Sequence, residues 1–101
     1  MRVIVLLRPT NRHGTKGEYT RFRKLLAANG FVLVQPEVFL CAVPTRRSAR
    51  VLLDKISAEA PATGSICALV LTERQFGSIE YLVGGPSYQE QTIGSSASIS
   101  L

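Results

Sequence analysis

The sequence is short of the residues that catalysis and metal binding use. Its 101 residues include one Asp (Asp54), one His (His13) and no Trp. A Mg²⁺-dependent nuclease needs several carboxylates placed together on a scissile phosphate. Asp54 instead lies four residues after Arg50, which is the spacing of an ion pair on a helix surface. Walker-type loops, Gly-x-Ser-x-Gly elbows and dinucleotide-binding fingerprints are absent. We therefore predict no catalytic residue, no metal site and no cofactor.

The chain also lacks long apolar runs and cysteine spacings of the metal-binding kind. The apolar run 3–7 stops at Arg8, and no segment approaches the roughly 20 apolar residues of a membrane span. Cys41 and Cys67 each lie in an apolar segment, where a free thiol packs as a small buried hydrophobe. Because no secretory signal is recognisable, we expect a cytoplasmic protein with free cysteines and no membrane association.

Negative charge is scarce in the first third of the chain, and positive charge is concentrated there. The chain has 12 Lys and Arg against 7 Asp and Glu, a formal net charge of +5. Residues 1–36 hold seven of these cations and one acid, Glu18. Residues 8–16 combine Pro9 and Gly14 with four basic residues, a composition typical of an exposed loop. The sequence predicts a surface that attracts polyanions.

Basic side chains of this loop and of two helices are the candidate nucleic-acid contacts. Lys and Arg in such positions follow a phosphate backbone with little sequence preference, and their affinity falls steeply with salt. An ordinary solvated surface is the alternative interpretation of the same residues. The candidates are Arg8, Arg12, His13, Lys16, Arg21, Lys24, Arg46, Arg47 and Arg50.

Apolar runs predict the strands. Residues 2–7 and 64–71 are nearly unbroken apolar segments, as in interior strands covered on both faces. Residues 31–43 are interrupted only at 35–37, which favours two short strands joined by a tight turn. Residues 79–83 resemble one further strand.

Two helices separate these strands. A capping box from Thr15 to Glu18 begins the first helix, and Asn29-Gly30 ends it. Pro44-Thr45 begins the second helix, which ends before Pro61. The order βαββαβ predicts an α+β, ferredoxin-like sandwich with two helices on one face of an antiparallel sheet. We expect this domain over residues 1–85, with an additional C-terminal strand, and a tail over 86–101.

Several segments occur in an order and spacing that resemble a known family. They are Met-Arg-Val-Ile-Val-Leu-Leu-Arg-Pro-Thr at 1–10 and the segments 19–26, 29–31, 35–39, 64–66, 71–76 and 79–84. Together they resemble the second CRISPR-associated adaptation protein, Cas2, in its type II branch. The resemblance covers residues 1 to about 85.

This resemblance implies a homodimer with a function in antiviral defence. Cas2-like dimers bridge two dimers of the Cas1 integrase and support a double-stranded DNA fragment during spacer acquisition. The final strand of the family often pairs with the partner subunit, so residues 86–101 are expected to do the same. The family is also described as a Mg²⁺-dependent endonuclease acting on DNA or RNA, which is the alternative function. A third interpretation is a dimer whose basic surface regulates another protein.

Two departures from the family pattern bear on that choice. The metal-binding Asp of the family stands at the end of the first strand, where this chain has Leu7-Arg8-Pro9, so we predict no Mg²⁺ site there. A scaffold is accordingly favoured over a nuclease, and we hypothesise that Arg8 contacts DNA. Glu37 replaces the Ser of the Gln-x-Ser-Val-Phe segment, and the sequence predicts no role for it.

Overall fold

The computed structural model describes residues 1–10 and 15–86, without the side chains of residues 15 and 16. The described elements are β1 (Arg2–Arg8), α1 (Thr15–Ala28), β2 (Val32–Gln35), β3 (Val38–Ala42), α2 (Arg46–Ser57), β4 (Ser65–Leu71) and α3 (Glu73–Gly77). The four strands form one antiparallel sheet in the order β2-β3-β1-β4. The predicted ferredoxin-like α+β arrangement is confirmed, and a short third helix follows it.

β1 lies at the centre of the sheet and divides its side chains between two faces. Val3, Val5 and Leu7 are buried in the core that the sheet forms with the helices. Ile4 and Leu6 point to the opposite side, here called the outer face, and are half-buried. β1 has apolar residues on both faces, which fits its position between β3 and β4 in the sheet, as its unbroken apolar sequence predicts.

The two long helices cover the buried row of β1 with their apolar sides. Tyr19, Phe22 and Leu26 of α1 are at most 2% exposed, and Ala49 and Ile56 of α2 are at most 3% exposed. This spacing is the 3.6-residue period of an amphipathic helix. No helix within residues 1–10 and 15–86 is long and apolar enough to cross a membrane.

The predicted helix boundaries are confirmed. α1 ends at Ala28, and Gly30 follows with φ of 92°, a conformation that favours glycine after a helix. α2 begins after Thr45, whose hydroxyl accepts from the Ser48 N–H at 3.0 Å while the Ser48 hydroxyl accepts from the Thr45 N–H at 3.0 Å. The side-chain cap predicted at Thr15 lies outside the described residues.

β4 is an edge strand of the sheet that residues 1–10 and 15–86 form, so the prediction of an interior strand is wrong for this part of the chain. In the described part of the chain it pairs only with β1. Cys67 is exposed, so the prediction that it is buried is wrong as well, and Leu69 on the same outer face is 52% exposed. Cys41 is buried and free, as predicted. The apolar run of β4 therefore reflects an uncovered face rather than a central position.

The strand predicted over residues 79–83 does not form. A capping box between Thr72 and Gln75 begins α3 instead, and residues 78–86 continue without regular structure. Part of this segment crosses the outer face, where Phe76 and Ile79 line a cavity of about 160 Å³ together with Leu40 of β3. The predicted tail from residue 87 onward lies outside the described residues.

An ion-pair network fixes α3 to the beginning of β1. The Arg2 Nε donates to the Glu73 carboxylate at 3.0 Å, and the Met1 ammonium lies 3.3 Å from the same carboxylate. The Arg2 guanidinium also stacks over the Phe76 ring, 4.6 Å from its centroid. The hydrogen bonds from Arg2 lower the pKa of Glu73. The segment that follows α3 thus leaves from a fixed position.

Candidate nucleic-acid interface

The last residue of β1 places a cation at one end of the sheet. Leu7 takes the buried position there, and its N–H donates to the Glu37 carbonyl at 2.9 Å. Arg8, the next residue, lies opposite Ser65 of β4 and is exposed. The Arg8 backbone is therefore held in the sheet by its pairing with β4. We call this part of the molecule the Arg8 end.

α1 begins at the same end and presents further cations to solvent. Its buried side is apolar, so Arg21 and Lys24 fall on the opposite side, where both are exposed. Within the described part of the chain, neither forms an ion pair, and the same is true of Arg8. The neighbouring acid, Glu18, directs its carboxylate to the Ala62 N–H at 3.4 Å. The three cations are therefore available to an anionic ligand.

Glu37 and Arg23 form an ion pair that sequence reasoning missed. Both carboxylate oxygens of Glu37 accept from the Arg23 guanidinium, at 2.9 and 2.7 Å. The hydrogen bond to Glu37 raises the pKa of Arg23. Glu37 has φ of 63°, an unfavourable conformation for a residue other than glycine, in the turn between β2 and β3. The pair ties α1 to this turn, but no local sequence signal connects residues 14 positions apart.

Tyr19 and Gly64 fix the chain around the Arg8 end. The buried Tyr19 hydroxyl donates to the Thr63 carbonyl at 2.7 Å. Gly64 has φ of 84°, and a Cβ there would meet the Tyr19 hydroxyl and lie 2.7 Å from the Arg8 carbonyl oxygen. Only glycine fits this close approach of α1, β1 and the segment before β4. Tyr19 packs in the core.

The candidates on α2 lie at the other end of the sheet. β3 runs antiparallel to β1 and places Ala42 beside Arg2, so α2 starts at what we call the Arg2 end. A seven-residue strand spans about 20 Å, which separates Arg46 and Arg47 from the Arg8 end by a similar distance. Arg50 is bound to Asp54 at 2.8 Å, which confirms the predicted surface ion pair. The structure therefore divides the candidates into two sets.

The remaining candidates are not all within the described residues. Arg12 and His13 lie outside them, and the backbone of Lys16 belongs to the first turn of α1. Among residues 1–10 and 15–86, no group of three His, Cys, Asp or Glu side chains is placed to hold a metal ion. The carboxylate of Glu37 is occupied by Arg23 on both oxygens.

The chemistry of the Arg8 end is that of anion binding. Guanidinium groups donate several hydrogen bonds in a planar fork that matches phosphate oxygens, and an ammonium acts as a point charge. The described candidates on β1 and α1 are Arg8, Arg21 and Lys24, which are all cations of these two kinds. Such groups bind and position phosphates.

The fold and the charge distribution define a small ferredoxin-like α+β protein with a positively charged end. The family model for CRISPR associated protein Cas2 matches residues 14–79, more than half of the chain. The chain therefore belongs to the Cas2 family, as the sequence resemblance predicted.

Curated relatives agree with this family. The chain is 31% identical over 94 residues to the CRISPR-associated endoribonuclease Cas2 of Acidovorax ebreus, covering 92% of both chains. It is 31% identical over 85 residues to the protein of that name from Lacticaseibacillus rhamnosus, covering 83% of this chain and 84% of the relative. The corresponding protein of Parvibaculum lavamentivorans is 34% identical over 76 residues, covering 75% of both chains.

Proposed function

We propose that this chain is a dimeric, double-stranded-DNA-binding scaffold subunit of the CRISPR spacer-acquisition complex. Its partners are a second copy of the chain, the Cas1 integrase and the DNA fragment to be inserted, and its location is the cytoplasm. The observation that carries the proposal is a set of exposed cations that form no ion pair within the described residues: Arg21 and Lys24 on α1, and Arg8 at the end of β1, where the family pattern has an acid.

Phosphate contacts explain how these cations would act. Each contact that neutralises a phosphate releases condensed counterions, so binding weakens as salt increases. The described set, Arg8, Arg21 and Lys24, continues in sequence with the other basic residues of the N-terminal region. The proposed contacts are Arg8, Arg12, His13, Lys16, Arg21 and Lys24. Binding through these groups would depend little on DNA sequence, which suits a protein that holds fragments of any sequence.

The outer face supports the dimer. Leu69 is 52% exposed there, and Leu82 and Val83 are more than 90% exposed in the segment after α3. The adjacent β4 leaves a strand edge open in the described part of the chain. Exposed apolar surface beside an open edge is typical of an interface. A second copy would cover this face, and residues 86–101 would add a strand across the two-fold axis.

A metal-dependent endonuclease is the second candidate, because the relatives are named endoribonucleases. Such an activity needs carboxylates grouped around Mg²⁺. In the described residues the carboxylates of Glu37, Asp54 and Glu73 are each engaged in ion pairs at separate places. These residues do not fit a shared Mg²⁺ site.

One titration separates the two functions. A short duplex is titrated with the protein across a salt series, with Mg²⁺ or with EDTA, and binding and cleavage are measured in the same samples. The scaffold predicts salt-sensitive binding in both conditions without metal-dependent cleavage. Cleavage that EDTA stops and that persists through repurification would establish the nuclease instead.

Matched variants locate the contacts. The triple Ala variant of Arg8, Arg12 and Lys16 is expected to flatten the slope of log affinity against log salt by about 2.7, which is about 0.9 for each lost phosphate contact. A control triple Ala variant of Arg46, Arg47 and Lys55 removes the same charge from α2. Equal losses in the two variants would refute contact at the Arg8 end and indicate only a general effect of net charge.

A further inference from the structure

A groove that begins at the Arg2 end and follows α2 is not used by the proposed DNA contacts. It lies between the end of α1, at Asn29, and the outer side of α2, and has a volume of about 440 Å³. Val51 and Leu52 form its apolar floor, and Arg47 and Lys55 stand at its two ends. We call it the α2 groove. Val51 is 64% exposed, which is high for a branched apolar side chain on an otherwise charged helix face.

The groove combines charge and apolar surface in a regular order. Arg47, Val51 and Lys55 are four residues apart and therefore lie along one side of the helix. Two helical turns separate the two cations by about 12 Å. No carboxylate lines this groove among the described residues, because Asp54 is held by Arg50 outside it. A ligand would meet an apolar centre between two positive charges.

This order favours a protein segment over a nucleic acid. A phosphate backbone would pair with the cations but would leave Val51 uncovered. A helix or extended segment with an apolar side chain between two carboxylates would satisfy both parts of the groove.

We infer that the α2 groove is the docking surface for an acidic protein segment that seats one apolar side chain on Val51 and places carboxylates against Arg47 and Lys55. The inference rests on the proposed function, because the Cas1 integrase of the same acquisition complex is the partner that would carry this segment. It assigns the α2 groove and the proposed DNA contacts to two different ligands.

Charge-reversal variants on α2 test the inference. Arg47→Glu changes a residue that lines the groove, and Val51→Glu places a negative charge on its floor. Arg46→Glu is the matched control, because it makes the same charge change one residue earlier and does not line the groove. Acidic residues are tolerated in the first turn of a helix, so both arginine variants are expected to fold. Circular dichroism checks this, and the milder Val51→Ala variant keeps the test valid if Val51→Glu unfolds.

The assay measures the affinity of each full-length variant for the purified integrase by calorimetry and for a short duplex in parallel. We expect Arg47→Glu and Val51→Glu to weaken integrase binding about tenfold or more, which corresponds to about 1.4 kcal/mol. Arg46→Glu should change it by about twofold or less, since an exposed charge outside a contact contributes little. Duplex affinity should be the same for Arg46→Glu and Arg47→Glu.

Each contrary result overturns a different statement. Equal integrase affinity in the Arg46 and Arg47 variants would refute the groove alone and leave the scaffold function in place. A duplex affinity lowered only in the Arg47 variant would assign the groove to nucleic acid. Dissociation of the homodimer by the groove variants would assign it to a second copy. If the unaltered protein binds duplex but no integrase, both the partner in the proposed function and this inference fail.

Discussion

Replacing Gly64 with Ala should destabilise the protein through two separable effects. The first is backbone strain, because φ of 84° costs a residue other than glycine about 1–2 kcal/mol. The second is steric, because the new Cβ would meet the Tyr19 hydroxyl and lie 2.7 Å from the Arg8 carbonyl oxygen. That carbonyl belongs to the central strand and cannot move freely. Together we expect a loss of about 3–4 kcal/mol in the free energy of unfolding, a large part of the 5–15 kcal/mol typical of a domain.

A second glycine separates the two effects. Gly84 has a similar φ of 76°, but a Cβ there would meet nothing within 4 Å. Gly84→Ala should therefore lose only the strain, about 1–2 kcal/mol. Urea unfolding followed by circular dichroism gives both values by linear extrapolation, at one protein concentration because the proposed dimer would unfold in a concentration-dependent way. Equal losses in the two variants would refute the clash at Gly64.

A double-mutant cycle tests the identity of the clashing group. Tyr19→Phe alone should cost about 1 kcal/mol, since it removes the hydrogen bond to the Thr63 carbonyl. In the Gly64→Ala background the same change also removes an obstructing oxygen, so it should cost less or stabilise. The two changes should then be non-additive by about 1 kcal/mol or more. Strict additivity would mean that Tyr19 and Gly64 do not approach each other as described.

Three further predictions concern the turn, the third helix and the outer face. Glu37→Gly should be about 1 kcal/mol more stable than Glu37→Ala in urea unfolding, because both lose the ion pair with Arg23 but only Gly relieves the positive φ; equal stability would argue against strain in the turn. The pKa of Glu73 is lowered from its ordinary value of 4.5, so its ion pair stabilises the protein above that pH and the contribution is lost as the pH falls through the lowered pKa. The free energy of unfolding of Glu73→Gln should therefore fall less as the pH is lowered. An unchanged pH dependence would contradict the ion-pair network. Thiol labelling of the exposed Cys67 should slow as protein concentration rises and the proposed dimer covers it, whereas Cys41, whose pKa is raised by burial, should label slowly throughout; a concentration-independent rate at Cys67 would exclude an interface on the outer face.

The features that the sequence predicted well are those with local signals. The helix starting after Thr45 has a capping residue, an apolar period and a clear end, and each acts within a few residues. The unbroken apolar run of β1 also agrees with its position in the middle of the sheet. Local patterns of this kind report backbone preference and burial together.

Features that depend on which surface is covered could not be predicted from local sequence patterns. The apolar run of β4 looks like that of β1, yet one of its faces is open and Cys67 is exposed there. An apolar residue on an uncovered face and one that is buried within the chain have the same sequence pattern. The prediction of a strand over residues 79–83 was wrong for a related reason. The cap at Thr72 directs the chain into α3, and the apolar residues that follow remain mostly exposed.

The sequence identified individual candidate residues but not where they lie relative to one another. Charge alone marked both Arg8 and Arg47, and only the antiparallel pairing of β1 with β3 shows that they lie at opposite ends of the sheet. The pair between Arg23 and Glu37 joins residues far apart in sequence, so no periodicity indicated it.

The separation between the two ends is set by β1 and not by a loop. Loops change length readily in evolution, but an inserted residue in a paired strand moves every later side chain to the other face of the sheet. An inserted residue in β1 would therefore exchange the row of Val3, Val5 and Leu7 with the outer row. The length of β1 therefore holds whatever is bound at the Arg8 end at a fixed distance from whatever is bound at the Arg2 end, where α2 begins.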